Sequence, residues 1–320
     1  MAPPLTPGQI TRARFERDGY LCPLDALTPV QTAHYRACYL DFYQRHKSRL
    51  DALRAGERWQ INTDTHFVLE WVDALTREPA ILDAVERVLG PDLLAWNTSW
   101  FVKFPGDKAF VSWHQDGAYW GLSPMDVATA WVALGPVTPE NGCMRVVPGS
   151  HKQTHLPQRD TFADNNVLSR GQEISVAVDE AQAVDLALQA GQISLHHLWT
   201  VHGSNTNTSD TPRIGIAIRY VSTRVRQEGA VKPIAMLVRG RDDFHHFRLV
   251  DRPRGNDAMA GEGLHAQLLQ RVHVALAAAA KPLWRAATWG SPRRREPKQR
   301  STETRRDTPP ETTTTQGDTR

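Results

Sequence analysis

Three stretches near the start of the chain have the pattern of capped or amphipathic helices. Thr6-Pro7 and Thr28-Pro29 each place a hydroxyl residue before a proline, which predicts an N-cap followed by proline at the first helical position. The first helix is expected to run to about Asp18 and stop at Gly19, and the second to extend toward Ala55 and stop at Gly56. A third, over Glu78–Leu89, sets Ile81, Val85 and Leu89 on one face and ends at Gly90. That stripe needs a sheet or another helix to cover it.

From Asp92 the pattern changes to short β-branched and aromatic runs divided by Pro/Gly turns. Strands are predicted near 93–104, 110–116, 127–134, 143–147, 174–178, 192–196, 199–203 and 213–224. No parallel βαβ rhythm is present. The expected fold is mainly β with packed helices (α+β), a double-stranded β-helix or jelly-roll core flanked by N-terminal helices. His151–Asp185 is polar and poor in apolar runs, so it reads as a long loop, either a lid or a solvated insertion. Leu264, Leu268, Val272 and Leu276 predict one more amphipathic helix over Gly261–Lys281.

Composition adds the domain plan. The chain reads as one domain over 1–290, with a helical part to about 90, a barrel core over about 91–225 and a C-terminal extension over about 226–290. After Trp289 the sequence turns to Arg293-Arg294-Arg295 and Ser/Thr/Pro/Gln-rich residues without aromatics, which predicts a disordered basic tail at 291–320. That tail holds eight Lys/Arg against five Asp/Glu and so carries the whole net charge of +3. The body is balanced, with no electrostatic footprint for nucleic acid. Cys22, Cys38 and Cys143 form no CxxC pair, which points to a reducing interior. No apolar run approaches the ~20 residues of a membrane span, and the N-terminus has no basic start before an apolar run. A cytoplasmic protein is expected; the sequence carries no signal for its oligomeric state.

Candidate chemistry begins at Ser112-Trp113-His114-Gln115-Asp116-Gly117. On an extended strand His114 and Asp116 project to one side, an imidazole beside a carboxylate. A His-x-Asp pair alone is common by chance. A third ligand is available in Ile193–Asn205, and two imidazoles with one carboxylate form the ligand set of non-haem Fe(II) oxygenases. Arg213 lies eleven residues after His202, on a run that alternates as a strand does. A guanidinium near an open-sided iron suits a diacid that chelates the metal at one end and pairs with the arginine at the other, as 2-oxoglutarate would.

Taken in order, His114-Gln115-Asp116, Trp131, Asn141-Gly142-Cys143, Pro148-Gly149-Ser150-His151, His202-Gly203-Ser204 and Arg213 resemble the phytanoyl-CoA dioxygenase family of Fe(II)/2-oxoglutarate oxygenases. The resemblance spans roughly 90–225 and implies His114, Asp116 and His202 as iron ligands. It implies Arg213 as the partner of the distal carboxylate of 2-oxoglutarate, with Ser204 and Trp131 helping to hold that cosubstrate. Asn97, and more weakly Lys103, are further candidates on the strand before the motif. The implied activity is hydroxylation of an aliphatic C–H of a small molecule, consuming O2 and releasing succinate and CO2. Family members that halogenate have a small residue where this chain has Asp116, so the carboxylate favours hydroxylation.

The surrounding residues are less diagnostic. Tyr119, Trp120 and Trp199 could shape an apolar substrate pocket or simply fill the core. Gly215 and Ala217, between Arg213 and Arg219 on one strand face, are expected to leave room for a ligand. If any of Arg224, Arg226, Arg239 or Arg241 reaches the pocket mouth, the substrate carries a carboxylate, phosphate or phosphonate. Within His196-His197 and His245-His246 only one residue of each pair can face a metal, so both pairs are expected to be bystanders. A zinc hydrolase using the same three ligands, and a silent jelly-roll binding module, are the alternatives. The first leaves Arg213 without a role and the second predicts a missing ligand.

Overall fold

The computed structural model describes residues 2–51, 62–168, 170–229 and 232–256. The expected C-terminal helix and basic tail lie outside the described residues. In chain order the elements are α1 (Arg12–Asp18), β1 (Tyr20–Asp25), α2 (Pro29–Asp51), α3 (Glu70–Thr76), α4 (Pro79–Leu89), β2 (Leu93–Lys103), β3 (Val111–His114), β4 (Leu122–Ser123), β5 (Val127–Ala133) and β6 (Met144–Val146). There follow β7 (Gln158–Asp160), β8 (Gln172–Ile174), β9 (Val184–Leu186), β10 (Gln192–His197), β11 (His202–Ser204), β12 (Arg213–Ser222), β13 (Arg226–Gln227), β14 (Ile234–Arg239) and β15 (Arg248–Leu249).

Two sheets form the core. The larger has the order β1-β10-β5-β12-β2-β14-β15 and the smaller β3-β11-β6-β9. All pairings are antiparallel except β14 with β15. This is the expected jelly roll. Strand parity on β12 explains how it holds together: Ile214, Ile216, Ile218 and Tyr220 join one core cluster with Phe15, Trp71, Leu75, Ile81 and Val85 of the helices. The opposite face turns inward, where Ala217 packs with Trp131, Met144 and Val146 between the sheets. Leu94, Leu122, Trp199, Val221 and Phe247 fill a third cluster.

The structure departs from the expected elements in several places. Thr6-Pro7 opens only a 3₁₀ turn, Pro7–Gln9, in which the Gln9 side chain accepts from the Thr6 amide at 2.9 Å. The helix proper starts at Arg12, because Thr11 Oγ1 accepts from the Arg14 amide at 3.1 Å and so caps it. The strand expected to reach residue 116 stops at His114, and Asp116 opens a 3₁₀ turn. The run expected as strand at 199–203 turns first, with the Thr200 amide donating to the His197 carbonyl at 2.9 Å, and β11 begins at His202. His151–Asp185 is not a featureless loop, since it carries the β7–β8 ribbon and β9, and the strand expected at 174–178 lies at 172–174. β1, α3 and β14 were not expected.

The room expected beside Gly215 is also absent. A Cβ built there would lie 2.2 Å from Trp131 Cζ2 and Cη2, so the indole of β5 occupies the space. Gly215→Ala is therefore expected to displace Trp131 and destabilise the fold by about 1–3 kcal/mol, the usual cost of overpacking. Denaturant unfolding of the two proteins checks this, and equal midpoints would mean that the indole moves aside freely.

Candidate metal centre

His114 ends β3 and His202 begins β11, and the two residues are paired across that ladder. Register therefore brings together two imidazoles 88 positions apart in the sequence, with ring centroids 4.1 Å apart. Gln115 is extended at φ −119°, ψ 123°, so Asp116 returns to the side of His114 although the strand has ended. One donor atom from each of His114, Asp116 and His202 lies within 4.8 Å of the others, and all three residues are buried.

Backbone carbonyls set the state of both rings. His114 Nδ1 bonds the Ser112 carbonyl and His202 Nδ1 the Thr200 carbonyl, each at 2.9 Å. A carbonyl can only accept, so Nδ1 carries the proton in each ring. In the neutral tautomer Nε2 then keeps its lone pair, as a metal ligand requires. Burial, reinforced by the neighbouring His114 and His196, holds the His202 pKa well below its ordinary value. Burial alone would raise Asp116, but Arg219, His114 and His202 outweigh it and keep the carboxyl below the usual range. A buried oxygen, Asp116 Oδ2, has no hydrogen-bond partner. These donors fit a divalent cation of the Fe(II) type.

Gln115 faces the other way and fastens the surroundings. Its Nε2 donates to the Gln153 and Trp199 carbonyls at 2.7 and 2.8 Å, and its Oε1 accepts from the Leu156 amide at 3.0 Å. One fully buried side chain thus ties the segment after His151, and the turn leading into His202, to the strand carrying the other two donors.

A pocket runs from the three donors to Arg213, lined also by Phe101, Trp131, His196, Ser204, Ala217 and Arg219. Arg213 is buried, its guanidinium 5.5 Å from the Trp131 ring centroid and donating to the Gly142 carbonyl, while Nε has no partner. Burial lowers its pKa to about 10. Lys103 faces it across the β2–β12 register and donates to Ser204 Oγ at 2.7 Å. Burial, then repulsion from Arg213, lowers the Lys103 pKa to about 5. The structure thus brings Arg213, Ser204 and Trp131 to one pocket, with Lys103 behind Ser204.

Asn97 has other partners. It donates to Asp64 Oδ1 at 2.7 Å and accepts from Arg219 at 2.7 Å, a network the sequence reading did not anticipate. His196 faces the pocket, its ring 4.8 Å from that of His202, but is not one of the three convergent donors, and His197 turns to Phe15 and His151 on the helical side, so the pair adds no ligand to the cluster, as expected. Strand parity was the available signal for both His196 and Arg219. Trp199 is core, closing on Gly117 and donating to Met125 Sδ. Tyr119 lies under Arg170 and Trp120 under Arg219. Arg224, Arg239 and Arg241 pair with the carboxylates of Asp126, Asp83 with Glu86, and Asp243, and Arg226 is exposed on β13.

Asp64 supplies a prediction about pH. It is buried, sits in the left-handed region at φ 58° and leaves Oδ2 without a partner. Burial raises its pKa to about 7, from an ordinary value of 3.8. The folded state therefore binds more protons than the unfolded one between these values, and stability falls as pH rises across that window. Asn tolerates this φ and still accepts from Asn97 and Thr98. Asp64→Asn is expected to match the wild type near pH 4 and to exceed it by on the order of 2–4 kcal/mol above pH 7. Denaturant melts at both pH values check this; a pH-independent difference would mean the carboxyl is not held protonated by the fold.

Similarity to known proteins agrees with this geometry. The family profile described as phytanoyl-CoA dioxygenase (PhyH) matches residues 15–215. A protein described as a probable alpha-ketoglutarate-dependent hypophosphite dioxygenase, from Stutzerimonas stutzeri, is 30% identical over 159 residues, 49% of this chain and 55% of that one. The ectoine dioxygenase of Streptomyces coelicolor is 26% identical over 75% of this chain and 86% of its own. The chain spans about half the length of the curated relatives it matches first. A solved non-heme monooxygenase, ThoJ, superimposes with a TM-score of 0.72 at 35% identity, over 84% of this chain and 98% of that chain. With a profile matched over more than half of its residues and a solved relative followed over nearly the whole of that relative's length, this chain belongs to the phytanoyl-CoA dioxygenase family.

Proposed function

We propose that this protein is an Fe(II)- and 2-oxoglutarate-dependent dioxygenase that hydroxylates an aliphatic C–H bond of a small molecule. The observation that carries the reading is one pocket holding three convergent donors, His114, Asp116 and His202, at one end and a buried arginine at the other. Bound Fe(II), with 2-oxoglutarate and O2, supplies the oxidising chemistry, and succinate and CO2 are the co-products. His114, Asp116 and His202 would hold the metal through two imidazole nitrogens and one carboxylate. Arg213 pairs with the distal carboxylate, Ser204 donates to it, and Trp131 walls the chain of the diacid. Lys103 orients Ser204 through its 2.7 Å bond. Every one of these protein groups is buried, which strengthens their electrostatic hold on a bound cation and anion. The hypophosphite and ectoine activities named for two relatives support a small-molecule substrate. No helix among the described residues is long and apolar enough to cross a membrane.

The test is anaerobic addition of Fe(II) and 2-oxoglutarate, expected to produce a visible metal-to-ligand charge-transfer band. A succinate-release screen over acids, amino acids, phosphonates and secondary metabolites then finds the substrate. Zinc binding with hydrolytic activity and no such band would overturn the proposal.

A further inference from the structure

Arg219 is a fully inward guanidinium that the chemistry above does not use. It lies on the same face of β12 as Arg213, six positions on, and is only 3% exposed. Its Nε is 3.9 Å from Asp116 Oδ2, and His196 Nε2 is 4.0 Å from the same oxygen. The other oxygen, Oδ1, faces His114 Nε2 at 3.4 Å, on the side of the imidazole donors. The two oxygens of Asp116 thus have different surroundings: one among the donors, the other between a guanidinium and an imidazole.

Arg219 is itself held from behind. Its Nη1 donates to Asn97 Oδ1 at 2.7 Å and to Ser99 Oγ at 2.8 Å, and its guanidinium lies 5.2 Å from the centroid of the Trp120 ring. Asn97 is in turn fixed by Asp64 Oδ1 at 2.7 Å. The β2–β12 register makes this possible by pairing Arg219 with Asn97, and the β5–β12 and β5–β10 registers set Thr129 and His196 in the same rung. A guanidinium fixed at three points cannot follow a wandering carboxylate. It defines where that carboxylate rests.

We infer that Arg219, seated by Asn97 and Ser99 and assisted by His196, is a positioning residue that draws Oδ2 of Asp116 aside and so presents Oδ1 as a single metal ligand. The inference rests on the metal-site reading above and adds a function for the Asp116–Arg219–Asn97–Asp64 chain. A carboxylate that offers one oxygen keeps a further coordination position open for the cosubstrate and O2. Partners of this kind, lying behind a ligand, typically change metal affinity 10–100-fold when removed.

The experiment is a Co(II) titration of the full chain without 2-oxoglutarate, followed by the d–d absorption of the bound ion. Arg219→Gln is expected to weaken Co(II) binding 10–100-fold and to change the band envelope, because Asp116 is then free to offer both oxygens. Arg219→Lys keeps the charge without the planar fork and is expected to fall between the two. Asn97→Ala, which removes the seat and touches no metal ligand, is expected to shift affinity and bands in the same direction. It carries the test should Arg219→Gln fail to fold. Wild-type affinity and unchanged bands in the folded variants would overturn the inference, leaving Arg219 a rivet between strands. Failure of the wild type to bind Co(II) would overturn both this inference and the metal-site reading, which separates the two failures.

Discussion

Asp116→Ala is expected to abolish substrate-dependent succinate release and to weaken Fe(II) or Co(II) binding by more than 100-fold. Loss of a partner behind a ligand costs 10–100-fold in such sites, and loss of the ligand itself removes a bond and the only carboxylate in the donor set. The two imidazoles that remain carry no charge to offset that of a divalent ion. The substitution also strips Arg219 of the carboxylate at 3.9 Å, leaving a buried guanidinium with less compensation. Asp116→Asn separates these effects, because it keeps the shape and one oxygen donor while removing the charge. Metal affinity and turnover should fall in the order wild type, Asn, Ala. Unchanged turnover in the alanine variant would show that the carboxylate is not a ligand.

The reason this much could be read beforehand is local. His114 and Asp116 stand two positions apart, and one extended residue between them is enough to put both on one side, whether or not the strand continues. On β12 the alternation of isoleucines with Arg213, Gly215, Ala217 and Arg219 tells the helix-facing side from the inner one before any partner strand is known. What escaped was non-local. Asn97 meets Arg219 only through the pairing of β2 with β12, whose register slips between Arg219 and Tyr220, and no periodicity within either strand reports a slip. Asp64 enters through a left-handed turn outside any regular element. Gly215 was legible as small, but the ring that makes it small belongs to β5. Thr6-Pro7 fits the first turn of an α-helix and a 3₁₀ turn equally, so only the cap at Thr11 decides between them. α3 spans seven residues, too few for a periodic stripe to stand out from its surroundings.

Arg213→Ala is expected to lower the affinity for 2-oxoglutarate by on the order of thirty- to a thousandfold, the equivalent of about 2–4 kcal/mol. The effect is large because the guanidinium is buried, lies against the Trp131 ring and has a buried Nε without a protein partner. Its hydrogen-bonding capacity is thus incompletely used by the protein, and a carboxylate can take up the remainder in two parallel bonds. Lys103 cannot replace it. Burial, which persists in the variant, holds its pKa below the ordinary value, and its nitrogen is already committed to Ser204 and the Asn205 carbonyl. Arg213→Lys should accordingly lose part of the affinity, since lysine brings charge without the planar fork. Metal binding should barely change in either variant, because Arg213 is absent from the donor cluster and faces the far end of the pocket. Titration of 2-oxoglutarate into each Fe(II)-loaded variant, followed at the charge-transfer band, reads the two affinities apart. A wild-type curve for Arg213→Ala would place the cosubstrate anchor elsewhere, with Lys103 and Ser204 as the next residues to substitute.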